Sequence, residues 1–276
     1  AMTGEYIYFR PHMSGRPDSI QYTPIVNGST AWQIFGGPGF EAQGTFPLNR
    51  WMHVRVDVYP TSALVSVDGK PLLAIPDLKN GGLAGGVGFA SLMGGTHYSN
   101  IPVLPVDGHR HPAPTQEAKA LPPGTIGMWQ VSEALTQDAA FARAAAGNWA
   151  GIPWHSIAVE SNGIANLSKA GPDGDDEHSF IARFTLDSSA AGLLPMQFGF
   201  SDDVRVYLNG VPLYEGSDRQ NSRDYRFLGH AGFWDTAFLP LKAGANDVVL
   251  VVTDPTNGGT AAGATVAPPA GVSVRL

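Results

Sequence analysis

The chain contains no cysteine, which excludes disulfides, thiolate metal sites and cysteine nucleophiles. Charge is scarce: only 15% of residues are Asp, Glu, Lys or Arg, and the net charge is −7. An acidic, weakly charged chain lacks the basic footprint that nucleic-acid binding requires. No apolar run reaches the roughly 18 residues of a membrane-spanning helix. There is no phosphate-binding glycine loop, no dinucleotide fingerprint, no His-Glu-x-x-His and no Gly-x-Ser-x-Gly elbow, so nucleotide-dependent, zinc-peptidase and esterase chemistry of those types is not expected. What the chain does have is turn formers. Its 34 Gly and 22 Pro among 276 residues predict many short elements.

Those elements read as strands. Residues 51–59 alternate Val54, Val56 and Val58 with His53, Arg55 and Asp57, a period of two with a valine face expected inward and a polar face expected in solvent. Asp68-Gly69 and Asn209-Gly210 are two-residue hairpin signals. Runs at 31–35 and 87–92 also read as strands. The one helical pattern is Ala-rich, over 138–146, stopped by Gly147. The fold class expected is all-β: two β-sandwich or jelly-roll domains, with one short helix in the second. A Pro-rich stretch at 101–124 reads as an extended linker, giving domains at 1–100 and 125–276.

Several side-chain groups suggest chemistry. Arg10 and His12 follow Tyr6 and Tyr8 along the first strand, with Gln21 and Tyr22 on the expected neighbour. An arginine there suits a carboxylate clamp on a sugar acid, and Tyr22 or His12 suits proton transfer. Cross-strand pairing, with Arg10 satisfying a nearby carboxylate, is the structural alternative. Trp32 and Trp234 offer faces for sugar rings, against core packing as the alternative. The cluster Asp173, Asp175 and Asp176 is a weak calcium candidate, because it lacks the spaced ligands of an EF-hand loop. A solvated surface loop is the favoured reading of it, and no cofactor is expected.

The spaced residues Tyr8-Phe9-Arg10-Pro11-His12, Gln21-Tyr22-Thr23-Pro24, Trp32 and 51–56 with Val67-Asp68-Gly69 resemble the concanavalin A-like lectin/glucanase superfamily in its laminin-G-like branch, over residues 5–98. The second half resembles a galactose-binding-like jelly roll over residues 126–275. Trp154, the run Ser201-Asp202-Asp203-Val204-Arg205-Val206-Tyr207-Leu208-Asn209-Gly210 and the run 239–246 carry that likeness. The first resemblance implies more strands than residues 5–98 supply, and hence either a missing N-terminal segment or strands donated in an oligomer. Together the two imply a carbohydrate-binding protein of exported, secreted or periplasmic type, with a glycan or polysaccharide as partner. The superfamily's glucanase strand, Glu-x-Asp-x-x-Glu, is absent, so two carboxylates placed across a glycosidic bond are not expected. The alternatives are a polysaccharide lyase or glycoside hydrolase using Arg10, His12 and Tyr22, and an assembly protein whose open sheet edge a partner fills.

Overall fold

The computed structural model describes residues 2–30, 32–81, 83–91, 95–105, 111–115, 120–172, 178–219, 222, 230–254, 261–266 and 272–275. Among them the chain is all-β with a single α-helix. The strands are β1 (Gly4–Phe9), β2 (Ile20–Ile25), β3 (Glu41–Ala42), β4 (Val54–Val58), β5 (Ala63–Val67), β6 (Lys70–Ile75) and β7 (Met128–Ser132). The helix α1 (Gln137–Ala146) follows, then β8 (Trp154–Ala158), β9 (Ala165–Asn166), β10 (His178–Ser188), β11 (Gly192–Phe200) and β12 (Asp202–Leu208). The series closes with β13 (Val211–Asp218), β14 (Asp235–Leu241), β15 (Gly244–Asp254), β16 (Ala261–Val266) and β17 (Val272–Arg275).

The chain divides into two compact units that are not continuous in sequence. One comprises Ala1–Tyr8, Gln21–Gly36 and Ala118–Leu276; the other comprises Phe9–Ile20 and Gly37–Glu117.

The larger unit is a β-sandwich. One sheet runs β13-β12-β15-β10-β7-β8, with β17 also paired to β10, and the other runs β14-β11-β16-β9. Alternation builds the core. Phe180, Ala182, Phe184 and Leu186 of β10 and Val248, Leu250 and Val252 of β15 point inward, against Met196, Phe198 and Phe200 of β11. Trp129 is fully buried and meets Phe184 edge-to-face at 5.0 Å. Side chains buried this completely contribute about 2–3 kcal/mol each. On the opposite face of the larger sheet, Ile181 of β10, Val249 and Val251 of β15 and Tyr207 of β12 receive Ala140 and Ala144 of α1. Those alanines are four apart and so lie on one helix face. Thr136 caps the helix, its hydroxyl accepting from the Ala139 N–H. Gly147 ends it at φ 58°, and the Gly147 and Asn148 N–H groups donate to the Ala144 and Arg143 carbonyls, a left-handed glycine stop.

Residues 21–36 belong to this unit through specific bonds. The Asn27 amide donates to the Ser168 carbonyl at 2.8 Å, the Asn162 amide to the Ile34 carbonyl at 2.8 Å, and the Ala231 N–H to the Gln33 carbonyl at 2.8 Å. The 31–35 run, expected as a strand, forms no strand among its described residues. Gln33, Ile34 and Phe35 are nonetheless buried, so the run's apolar content reports burial rather than pairing.

The smaller unit contains the meander β4-β5-β6. Asp68 and Gly69 both adopt positive φ, 48° and 77°, at the β5–β6 turn, as the two-residue hairpin requires. The expected sidedness of β4 is reversed. Val54, Val56 and Val58 are 42%, 41% and 57% exposed, while Asp57 is buried. The cause lies in the neighbours. Arg55 and Asp57 stand opposite Ser66 and Leu64 on the covered side, and the Arg55 guanidinium pairs with Asp57 at 2.7 Å. Val65 and Ala63, opposite Val56 and Val58, are buried, so the cover over that face reaches β5 and stops short of β4. Residues 87–91, expected as the start of another strand, are exposed and without regular structure.

Candidate functional site

The residues singled out from the sequence fall in both units. In the smaller one, Arg10 donates from Nη1 to the Asp18 carboxylate at 3.0 Å and to the Asp18 carbonyl at 2.8 Å. Arg10 thus satisfies a nearby carboxylate, with both residues lying just outside β1 and β2. His12 is exposed, in a short 3-10 turn over Pro11–Met13.

In the larger unit Gln21 is fully buried. Its Oε1 accepts from the Tyr8 hydroxyl, and its Nε2 donates to the Trp32 and Phe35 carbonyls at 2.9 and 2.6 Å. Gln21 thus staples the 32–35 turn to β2. Tyr22 is 0% exposed and its hydroxyl donates to Glu5 at 2.6 Å. A polysaccharide therefore does not reach that hydroxyl in this conformation. Trp32 is half-buried. Trp234 is 48% exposed, with its indole N–H donating to the His230 carbonyl at 3.1 Å. Asp173, Asp175 and Asp176 lie outside the described residues. Among the described residues no group of three or more His, Cys, Asp or Glu is placed to hold a metal ion, and no helix is long and apolar enough to cross a membrane.

A different group is assembled on the outer face of the larger sheet, beside α1. The alternation that sends Phe180, Ala182 and Phe184 inward sends Arg183 outward. Its guanidinium lies over two indoles, 4.9 Å from the Trp149 ring centroid and 5.5 Å from that of Trp154. The two rings meet at 5.8 Å and 74°. Asp247 fixes the arrangement: one carboxylate oxygen accepts from Arg183 Nε and Nη2 at 3.0 and 2.7 Å, and the other from the Trp149 indole N–H at 3.1 Å. Cation–π contact and a two-point ion pair therefore hold the same arginine. Across the sheet Arg183 stands opposite Gln130, which stands opposite Ser156. The Gln130 amide donates to the Ser156 hydroxyl at 2.9 Å. Arg183 and Asp247 are each 23% exposed, and both indoles are half-buried, so the cluster has a side in water. It presents aromatic edges and faces next to a guanidinium, a carboxylate, an amide and a hydroxyl, all carried by strands or by the short 147–153 connection.

Trp149 was not among the candidates from sequence, because the Arg183 and Asp247 that engage it lie 34 and 98 positions away. The usable signal was the alternation in β10, which leaves two charged residues, Arg183 and Asp187, among outward-facing positions.

No family model matches the chain, and no curated protein matches it. Among solved structures it is similar to a family 35 carbohydrate binding module from an environmental isolate, at 18% identity and TM-score 0.27 over 37% of this chain and 74% of that one. It is similar to the Ruminococcus gnavus beta-glucuronidase, at 13% identity and TM-score 0.34 over 51% of this chain and 28% of that one. A PA14 sugar-binding domain from an RTX adhesin matches at 18% identity and TM-score 0.25, over 37% of this chain and 53% of that one. Overlaps at these TM-scores assign neither a fold family nor a function to this chain.

Proposed function

We propose that the protein is a non-catalytic carbohydrate-binding protein, whose contact surface is the outer sheet face around Trp149, Trp154, Arg183 and Asp247. The observation that carries this reading is the arginine held over two half-exposed indoles by one aspartate. A pyranose has an apolar C–H face that suits an indole, and hydroxyls that suit a guanidinium, a carboxylate and an amide. Carrying Gln130, Trp154, Arg183 and Asp247 on paired strands limits the ordering cost of binding. The jelly-roll resemblance of the second half supports the same reading, and an exported location goes with it.

The enzymatic alternative places catalysis on Arg10, His12 and Tyr22. The burial of Tyr22 and the engagement of Arg10 by Asp18 weigh against it.

A glycan panel read both for binding and for product tests the proposal. Binding without new reducing ends or unsaturated uronates is expected. Trp154→Ala should weaken binding by about 2 kcal/mol, roughly thirtyfold, as truncation of a central aromatic contact does. Gln130→Ala, which removes no core contact, should weaken it less. Product formation that is lost in His12→Ala would replace this reading with the enzymatic one.

A further inference from the structure

On the far side of α1 the same sheet face holds a cleft of about 370 Å³, lined among others by Gln137, Phe141, Asp203, Arg205, Glu215 and Thr253. It lies within the larger unit, between the helix and strands β12 and β13. Its centre is Arg205. The guanidinium sits 4.0 Å from the centroid of the Phe141 ring, and its Nε and Nη2 both donate to the same Glu215 oxygen, at 3.1 and 2.8 Å. Glu215 is itself 70% exposed, so one carboxylate oxygen and the cleft side of the pair face water. Next to it Asp203 is held by Arg219, from Nε at 3.1 Å and from Nη2. At the floor, the Gln137 amide donates to the Thr253 hydroxyl at 3.4 Å.

We infer that this cleft is a second ligand site, for a neutral hexopyranose. Three features select that class. The volume lies at the small end of ligand sites, about 300–1,000 Å³, which suits one or two sugar rings. The charges are balanced in pairs, Arg205 with Glu215 and Asp203 with Arg219. An anionic ligand would displace a carboxylate from its arginine and leave it uncompensated. A polyol leaves both pairs intact, because each hydroxyl donates to a carboxylate oxygen and accepts from an N–H. Lastly, Arg205 is fixed by a ring, a carboxylate and its strand, so its donors are already ordered before a ligand arrives. The inference stands on the cleft alone and does not need the indole surface to bind anything.

The test is a titration of the full chain with D-glucose, D-galactose and, as the anionic comparison, D-glucuronate, followed by amide-resolved NMR. The expected result is a saturable shift with at least one hexose at the amides of Val204, Arg205, Gly216 and Ser217. Arg205→Gln should weaken that binding about tenfold or more, equivalent to about 1.4 kcal/mol. Arg205→Lys, which keeps the charge and loses the planar fork, should also weaken it. The spectrum of each variant verifies its fold. No saturable shift at those amides with either hexose overturns the inference. So does binding of glucuronate without hexose, or wild-type affinity in a folded Arg205→Gln protein. Failure of the indole surface would appear separately, at the Trp149 and Trp154 side-chain N–H signals.

Discussion

Asp202→Asn should make the protein more stable at neutral pH, and the structure gives the size of the effect. Asp202 opens β12 at φ 57° and is 5% exposed. The Gln33 amide donates to it at 3.4 Å. It stands opposite Asp218 in the β12–β13 register, and Asp218 is buried as well. Burial is the main cause that pushes its pKa from an ordinary 3.8 to about 7; the neighbouring charge of Asp254 adds to this, and Asp203 adds a little more. Hydrogen bonds from Gln33 and Ser201 pull the other way without cancelling it. Between pH 4 and 7 the folded chain holds a proton at Asp202 that the unfolded chain has released. The stability that Asp202 contributes is therefore full below about pH 4 and is lost as pH rises through about 7. At 1.36 kcal/mol per pKa unit, the move from 3.8 to about 7 corresponds to about 4 kcal/mol. Asparagine has the same shape, carries no charge and tolerates the left-handed backbone. Urea unfolding across this pH range should give variant and parent similar stability near pH 4, and an advantage of about 2–4 kcal/mol for the variant at pH 8. A difference that does not change with pH, or a less stable variant at pH 8, would refute the reasoning.

Gly199→Ala should destabilise the sandwich by about 3 kcal/mol or more, because its Cβ would lie 1.9 Å from the Gly232 carbonyl oxygen and backbone must move to admit it; thermal melting checks this. Val56→Thr should change stability by no more than about 0.5 kcal/mol, since Val56 faces solvent. A loss of several times that would mean that the valine face is covered after all.

Local signals were legible because they depend on a few adjacent residues. Asn209-Gly210 adopts φ 53° and 82°, and Asp68-Gly69 takes the same left-handed pair. Only such residues occupy that region cheaply, so the hairpins could be read directly. The helix was found within one residue, since an alanine run ended by glycine has few other outcomes. The all-β class followed from the many turn-bounded runs. Sidedness was not legible in β4. A period of two says that one face is covered, not which, and the half-buried Arg55 paired with the buried Asp57 takes the covered side. The side-chain candidates near the N-terminus were named for their chemistry, yet Gln21 and Tyr22 spend theirs internally, on the Trp32 and Phe35 carbonyls and on Glu5.

The sequence by itself therefore determined the all-β class, the main turns, the helix and its stop, and the exclusion of thiol chemistry. Each is a matter of composition or of backbone preference within a few residues. The tertiary structure decided which faces are covered, that residues 21–36 pack with 118–276, and that Trp149, Arg183 and Asp247 meet. These rest on contacts between residues tens of positions apart, whose energy exists only once the sheets have formed, and no local pattern encodes them.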